Sequence, residues 1–143
     1  MKLEQVINFQ YKLYAHTSEQ TGKKKELLQE HIELCWKYYN IILSEKKISD
    51  IFENIFVNFF DESKSDVRDF VKESLDDVIL FHDTGKINPL FQDRNMGNYL
   101  KFSEIEGLKG ANHSFFSAFI YLDYECSRLS QLKLSRAERK KLQ

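Results

Sequence analysis

The sequence contains few residues that cross-link a chain or interrupt a helix. Its 143 residues include two cysteines, one proline and five glycines. Cys35 and Cys126 lie far apart and neither belongs to a CxxC pair, so neither a zinc ribbon nor a disulfide framework is indicated. Unpaired cysteines fit a reducing compartment, and we expect a cytoplasmic protein. The scarcity of proline and glycine leaves room for long helices.

Long apolar runs and a strong net charge are also missing. No segment approaches the roughly 18 consecutive apolar residues that a membrane-spanning helix needs. No apolar run follows the first lysine, so the N-terminus does not have the pattern of a signal peptide. With neither feature in the sequence, we expect no membrane association. The net charge of −1 provides no general positive field for nucleic acid. Any contact with DNA would therefore come from a local groove or a metal site.

The residues that are present describe an ordinary globular chain. Apolar residues make up 42% of the sequence and charged residues 30%, which is typical of folded domains and not of disordered chains. A chain of this length buries roughly two-thirds of its unfolded surface. We therefore expect residues 1–143 to belong to one domain.

Apolar residues recur at three- and four-residue steps in four segments. This period predicts helices over residues 24–44, 49–60, 65–82 and 111–129, and hence an all-α fold. His31 lies within the apolar stripe of the first helix. The brief alternation of Tyr11, Leu13 and Ala15 with more polar neighbours indicates an extended segment instead.

The residues between the predicted helices indicate where the helices end. Gly85 is expected to close the third helix in the left-handed conformation. Asn88 and Pro89 are typical of the cap and first residue of a short helix that reaches Phe91. Residues 93–110 are polar and include three glycines, so we expect a loop. Ser135 and Glu138 form a candidate capping box for a last helix.

The candidate chemistry centres on a His-Asp dipeptide. The four histidines are His16, His31, His82 and His113, and His82 is followed directly by Asp83. Transition-metal sites use imidazole and carboxylate ligands that different helices bring together. Neighbouring side chains on a helix diverge by about 100°, so His82 could bind one ion while Asp83 bridges to a second. The dipeptide alone is weak support, because it arises by chance in many proteins.

A longer pattern around the dipeptide is more specific. The run His82-Asp83-Thr84-Gly85-Lys86 followed by Pro89-Leu90-Phe91-Gln92 resembles the HD nuclease domain of the type I CRISPR effector nuclease-helicase. Three further segments resemble other parts of that family: Tyr14-Ala15-His16, Leu28-Gln29-Glu30-His31 and His113-Ser114-Phe115-Phe116-Ser117-Ala118. The likeness therefore extends from Tyr14 to about Ala118. It implies an HD-domain helical bundle, of which residues 1–143 would be the N-terminal part.

The resemblance also implies roles for individual residues. His31, His82 and Asp83 match ligands of one metal ion, and His113 matches a ligand of a second ion. Asp83 and Lys86 are the expected catalytic residues, with Lys86 contacting the phosphate or assisting the leaving group. The implied cofactors are divalent manganese, nickel, cobalt, iron or zinc. The implied partners are single-stranded DNA, the CRISPR surveillance complex and a helicase domain in cis or in trans.

The sequence departs from the family after His113. The family has a later histidine pair and a final aspartate among its ligands, but no histidine follows His113 here. Asp123 would lie about 15 Å further along the same helix, which makes it a poor substitute. The helicase motor is also absent from these residues. We therefore expect residues 1–143 alone to bind metal weakly and to cut DNA poorly or not at all.

Two functions besides a nuclease remain open. An HD phosphohydrolase that acts on nucleotides would share His31, His82 and Asp83, although the run 86–92 and the pair at 113–114 argue against it. An inactive helical fragment that serves as an interaction module would use none of these residues chemically. Product analysis separates the two enzymes, and metal analysis tests whether the chain holds a site at all.

The same residues also have purely structural interpretations. His31 could be a histidine at the edge of the core that bonds to a backbone carbonyl, and His113 could be a surface capping residue. Lys86 could do no more than place positive charge at a helix C-terminus. His16 is expected to be structural or to lie behind the ligands, and Cys35 to be a small buried apolar residue.

Overall fold

Helices make up most of the chain that the structure describes. The computed structural model describes residues 7–8, 10–17, 24–59, 65–101, 112–136 and 140. In chain order its elements are β1 (Tyr14–His16), β2 (Glu26–Leu27), α1 (Leu28–Glu45), α2 (Ile48–Phe59), α3 (Ser65–Phe81), a 3₁₀ turn (Thr84–Ile87), α4 (Pro89–Met96) and α5 (His113–Gln131). The prediction of an all-α fold is confirmed, because most of the described residues are helical. The strands among the described residues form one short antiparallel pair.

The core lies where α1, α3 and the N-terminal segment meet. Leu28 and Ile32 are one turn apart on α1 and are each 1% exposed. They pack with Leu80 and Phe81 at the end of α3 and with Ala15 of β1. Burying one large apolar side chain stabilises a fold by roughly 1.5 to 3 kcal/mol. This packing therefore holds the C-terminal end of α3 against the first turns of α1.

The first helix begins later than its period predicts. The pattern predicts a helix from residue 24, but Glu26–Leu27 form β2 and α1 begins at Leu28. The backbone N–H of Leu28 donates to the Leu13 carbonyl at 2.8 Å, and the N–H of Leu27 donates to the Glu30 carboxylate at 3.2 Å. The pairing of β1 with β2 thus competes with helix formation here, and a local period contains no information about that distant strand.

The expected role of Gly85 is wrong. The third helix ends at Phe81, and Gly85 lies inside the 3₁₀ turn. Among the described residues, the one glycine with a positive φ is Gly97, at 55°, where it closes α4 in the left-handed conformation. Gly85 is instead needed for space: a Cβ there would lie 1.9 Å from the carbonyl oxygen of His113. It lets α5 pack directly on the turn.

The fourth helix is longer than predicted. Asn88 caps it by accepting from the N–H of Leu90 at 2.9 Å, and Pro89 is its first residue, as expected. The helix then continues through Met96, so residues 93–96 are helical and not part of a loop. Residues 102–110, the second half of the predicted loop, fall outside the described residues. So does Glu138, on which the predicted capping box of the last helix depends.

α5 begins at His113, and Asn112 caps it by accepting from the N–H of Ser114 at 3.0 Å. It packs mainly on the 3₁₀ turn and on α3. This arrangement brings the first turn of α5 to the C-terminal end of α3. Of the helices that the structure describes, none is long and apolar enough to cross a membrane.

Candidate metal centre

Four structural elements place their polar side chains around one carboxylate. His31 lies on α1, His82 and Asp83 directly follow α3, Lys86 is in the 3₁₀ turn, and His113 begins α5. The buried Phe81 fixes the last turn of α3, so the two residues after it leave the helix at a defined point. The close packing of α5 on the turn then brings the first residue of α5 to the same place.

Asp83 lies at the centre of this group and is 7% exposed. Its Oδ2 atom is 3.1 Å from Nε2 of His31, 3.6 Å from Nε2 of His82 and 2.8 Å from Nζ of Lys86. Its Oδ1 atom is 3.9 Å from Nε2 of His113. The structure therefore brings together all five residues that the sequence analysis singled out for the site. One carboxylate oxygen of Asp83 faces His31 and His82, and the other faces His113.

His31 and His82 face each other through their Nε2 atoms. Nε2 of His31 and Nε2 of His82 are 3.3 Å apart. Nδ1 of His82 lies 2.6 Å from the carbonyl oxygen of Ile79, and Nδ1 of His31 lies 3.4 Å from the Glu26 carboxylate. These acceptors favour a proton on each Nδ1, which leaves lone pairs on both Nε2 atoms. Two facing lone pairs repel each other unless a cation or a proton lies between them.

The spacing of these atoms fits ligands of a single ion. Ligands of one four-coordinate ion lie roughly 3.3 to 3.4 Å apart when the bonds to nitrogen and oxygen are about 2.0 to 2.1 Å long. The distances among His31, His82 and Asp83 are 3.3, 3.1 and 3.6 Å. Small side-chain adjustments would place all three atoms around one divalent cation, so the donor set suits the metal that the resemblance implies.

Lys86 is buried in this group, with 4% of its surface exposed. An ammonium group that is removed from water needs a charged partner, and the Asp83 carboxylate provides it. Lys86 is therefore more than a solvated charge at a helix end. A cation bound to Asp83 would compete with this ion pair and release the ammonium group for another anion.

His113 is positioned by the 3₁₀ turn and by α4. The ring of Phe91 packs against its imidazole with ring centroids 4.8 Å apart. The N–H of Gly85 donates to Oγ of Ser117, one turn further along α5, at 2.8 Å. These contacts hold the imidazole near Oδ1 of Asp83, whereas His31 and His82 lie near Oδ2.

Gln92 is fully buried next to the 3₁₀ turn that contains Lys86. Its side-chain amide exchanges hydrogen bonds of 2.9 Å with the backbone N–H and carbonyl of Tyr14, and it donates to the carbonyl of Lys86 at 2.7 Å. The amide therefore joins β1 to the 3₁₀ turn across 78 residues of sequence. The sequence analysis noted Gln92 only as part of a motif, and its structural role becomes visible only in the fold.

The sequence analysis missed Glu26, whose carboxylate lies beside two of the histidines. The Glu26 carboxylate lies 3.4 Å from Nδ1 of His31 and 3.9 Å from Nε2 of His16. The rings of His16 and His31 meet edge to face, 4.7 Å apart. Burial lowers the pKa of His16, and the positive charge of Lys86 adds to this effect. No local pattern distinguishes Glu26, because its contact with His16 depends on strand pairing.

Cys35 also lies nearer the site than its sequence context indicated. It is one turn after His31 on α1, and its Sγ atom lies 3.6 Å from Nε2 of His31 and 3.8 Å from Nε2 of His82. The thiol is partly exposed, so it is not simply a buried apolar residue. The spacing of four residues between His31 and Cys35 was the available signal, since such pairs share one helix face.

Besides His31, His82 and Asp83, two overlapping sets of side chains in the described part of the chain have the spacing of a metal site: His31, Cys35 and His82, and His16, His31 and Asp83. Comparison of the chain with protein-family models, with curated proteins and with solved structures found no match. The geometry of the cluster and the motif around Asp83 are therefore the basis for assigning a function.

Proposed function

We propose that this chain forms the metal centre of an HD-type nuclease that cuts single-stranded DNA. The observation that carries the proposal is the shared Asp83 carboxylate, with His31 and His82 at 3.1 and 3.6 Å from one oxygen and His113 at 3.9 Å from the other. In this arrangement His31 and His82 would hold one divalent ion and His113 would hold a second, with Asp83 available to both. The nitrogen and oxygen donors suit manganese, iron, cobalt, nickel or zinc.

A bound divalent ion would supply an activated water molecule and polarise the phosphodiester. The residues of the chain position that chemistry. His31 and His82 present Nε2 lone pairs, which the acceptors at their Nδ1 atoms keep directed into the site. Asp83 supplies the negative charge that offsets the cation. Lys86 is within reach of the same carboxylate and could donate to a phosphate oxygen once Asp83 is engaged.

The proposed substrate and partners rest on the resemblance of the segments at 82–86 and 89–92 to the type I CRISPR effector. In that setting the substrate is single-stranded DNA exposed by a CRISPR surveillance complex, with a helicase domain in cis or in trans. The net charge of −1 supports a substrate that partners deliver, since the chain has no general positive field to capture DNA by itself.

The test is made in the complete protein and compares Asp83→Asn with Asp123→Asn, a matched control at an exposed position on α5. The asparagine keeps the size of the side chain but replaces a charged carboxylate with a neutral amide, so we expect Asp83→Asn to lose bound metal and cleavage of labelled single-stranded DNA. The control should behave as the wild type does. Circular dichroism checks that both variants keep their helices.

Each outcome separates the candidate functions. Cleavage of DNA by folded Asp83→Asn at the wild-type rate would refute the proposed role of the carboxylate. Hydrolysis of nucleotides but not of DNA, with manganese, nickel or cobalt added, would favour the phosphohydrolase, which shares His31, His82 and Asp83. Metal binding without either activity would leave a helical module that does not catalyse.

A further inference from the structure

We infer that Cys35 is a ligand of this metal centre, which makes the centre selective for ions that bind sulfur. The inference rests on the metal centre of the proposed function, but not on its nuclease activity. It adds a sulfur donor to His31, His82 and Asp83, which changes the donor set from nitrogen and oxygen alone to nitrogen, oxygen and sulfur.

Distances support this assignment. An ion with bonds of about 2.0 to 2.1 Å to nitrogen and about 2.3 Å to sulfur places those ligand atoms roughly 3.5 to 3.6 Å apart in tetrahedral coordination. Sγ of Cys35 lies 3.6 Å from Nε2 of His31 and 3.8 Å from Nε2 of His82, and the two nitrogens are 3.3 Å apart. The three atoms thus form a triangle that has the dimensions of one face of a coordination sphere.

The placement of the residues supports it independently. His31 and Cys35 are separated by four residues on α1, so their side chains project from the same face of the helix. The same spacing places two ligands on one ion in helical zinc sites. His82 approaches from the end of α3, and its own Nδ1 atom is engaged by the Ile79 carbonyl, which leaves Nε2 directed toward the thiol.

The chemistry of the ligand has a consequence for metal choice. When the metal–sulfur bond forms, the thiol proton leaves to solvent and the thiolate provides both electrons of the bond. Thiolate ligands favour zinc, cobalt(II) and iron(II) over magnesium, which prefers oxygen donors. With Asp83 beside the two imidazoles, the expected preference is for zinc and cobalt over manganese and magnesium.

Cobalt(II) provides a direct readout, because a thiolate–cobalt bond gives a charge-transfer band in the near ultraviolet. We expect the band in the wild-type chain loaded with cobalt under reducing conditions. Cys126→Ser is the matched control, since Cys126 is the second of the two cysteines and is exposed on α5. The control should keep the band. Cys35→Ser should lose it, and its cobalt affinity should fall by about 10- to 100-fold or more.

A second measurement needs no substitution. Zinc should protect Cys35 from alkylation, while Cys126 reacts at the same rate with and without metal. Peptide mass spectrometry distinguishes the two positions. Equal alkylation of Cys35 with and without bound zinc would overturn the inference even if Cys35→Ser did not fold.

The outcomes separate this inference from the proposed function. Visible cobalt bands without the charge-transfer band in the wild type would show a centre built from histidines, and Cys35 would not be a ligand. A wild-type chain that binds no cobalt would overturn both proposals. A charge-transfer band in a complete protein that leaves DNA intact would support the role of Cys35 and refute the nuclease.

Discussion

Substitution of Gly85 by alanine should damage both the stability of the fold and the geometry of the site. The Cβ of an alanine would lie 1.9 Å from the carbonyl oxygen of His113, 2.8 Å from its carbonyl carbon and 2.9 Å from the backbone nitrogen of Ser117. All three atoms belong to the backbone of α5, so no flexible side chain can move aside. The helix and the 3₁₀ turn would have to separate.

The size of the effect follows from that overlap. Ordinary contact needs about 3.4 Å, so the oxygen would have to retreat by about 1.5 Å, and overpacking of this kind costs about 1 to 3 kcal/mol. The overlap with rigid backbone places Gly85→Ala at the upper end, about 3 kcal/mol, which lowers the melting temperature of a chain of this size by about 10 °C. Since His113 moves with α5, a displacement above about 1 Å should also reduce any catalytic rate by about 100-fold or more.

Thermal unfolding followed by circular dichroism measures the stability, and Gly97→Ala is the control. Gly97 has a φ of 55°, but a Cβ there would meet only Nζ of Lys25, at an ordinary 3.6 Å. Its substitution should cost about 1 to 2 kcal/mol from the left-handed backbone alone and should leave the metal centre unchanged. A melting temperature of Gly85→Ala equal to or above that of Gly97→Ala would refute the argument from packing.

Two further predictions concern buried polar groups. Gln92→Leu leaves the backbone of Tyr14 and the carbonyl of Lys86 without their amide partner, so urea unfolding should show a loss of about 2 to 4 kcal/mol; a loss no larger than that of Gln131→Leu, at an exposed position, would contradict the role of the amide. Burial raises the pKa of Asp77 from 3.8 to about 6, so the fold favours the protonated carboxyl and the wild type loses stability as the pH rises from about 4 to about 6. The difference in free energy of unfolding between Asp77→Asn and the wild type should therefore increase from about pH 4 to about pH 6 and stay constant above pH 6. A difference that stays constant from pH 4 to 6 would show that Asp77 does not titrate in this way.

The sequence by itself determined the helical character of the chain and the approximate positions of its helices. The periods over 49–60, 65–82 and 111–129 correspond to α2 (Ile48–Phe59), α3 (Ser65–Phe81) and α5 (His113–Gln131). A helix is formed by contacts between residues three and four apart, so its apolar period can be recognised within a short segment of sequence. The motif around His82 and Asp83 is local in the same sense, which is why it could be noticed in the sequence.

Only the tertiary structure decided which side chains meet. Glu26 meets His16 because β2 pairs with β1, Cys35 meets His82 across 47 residues, and Gln92 bonds to Tyr14 across 78. None of these contacts changes the local period of its segment, and a carboxylate, a thiol or an amide has the same pattern whether it faces solvent or a neighbouring helix. Their partners are selected by the packing of α1, α3, α4 and the strand pair around one core, because the burial of apolar faces determines how those elements are oriented and so where each polar side chain points.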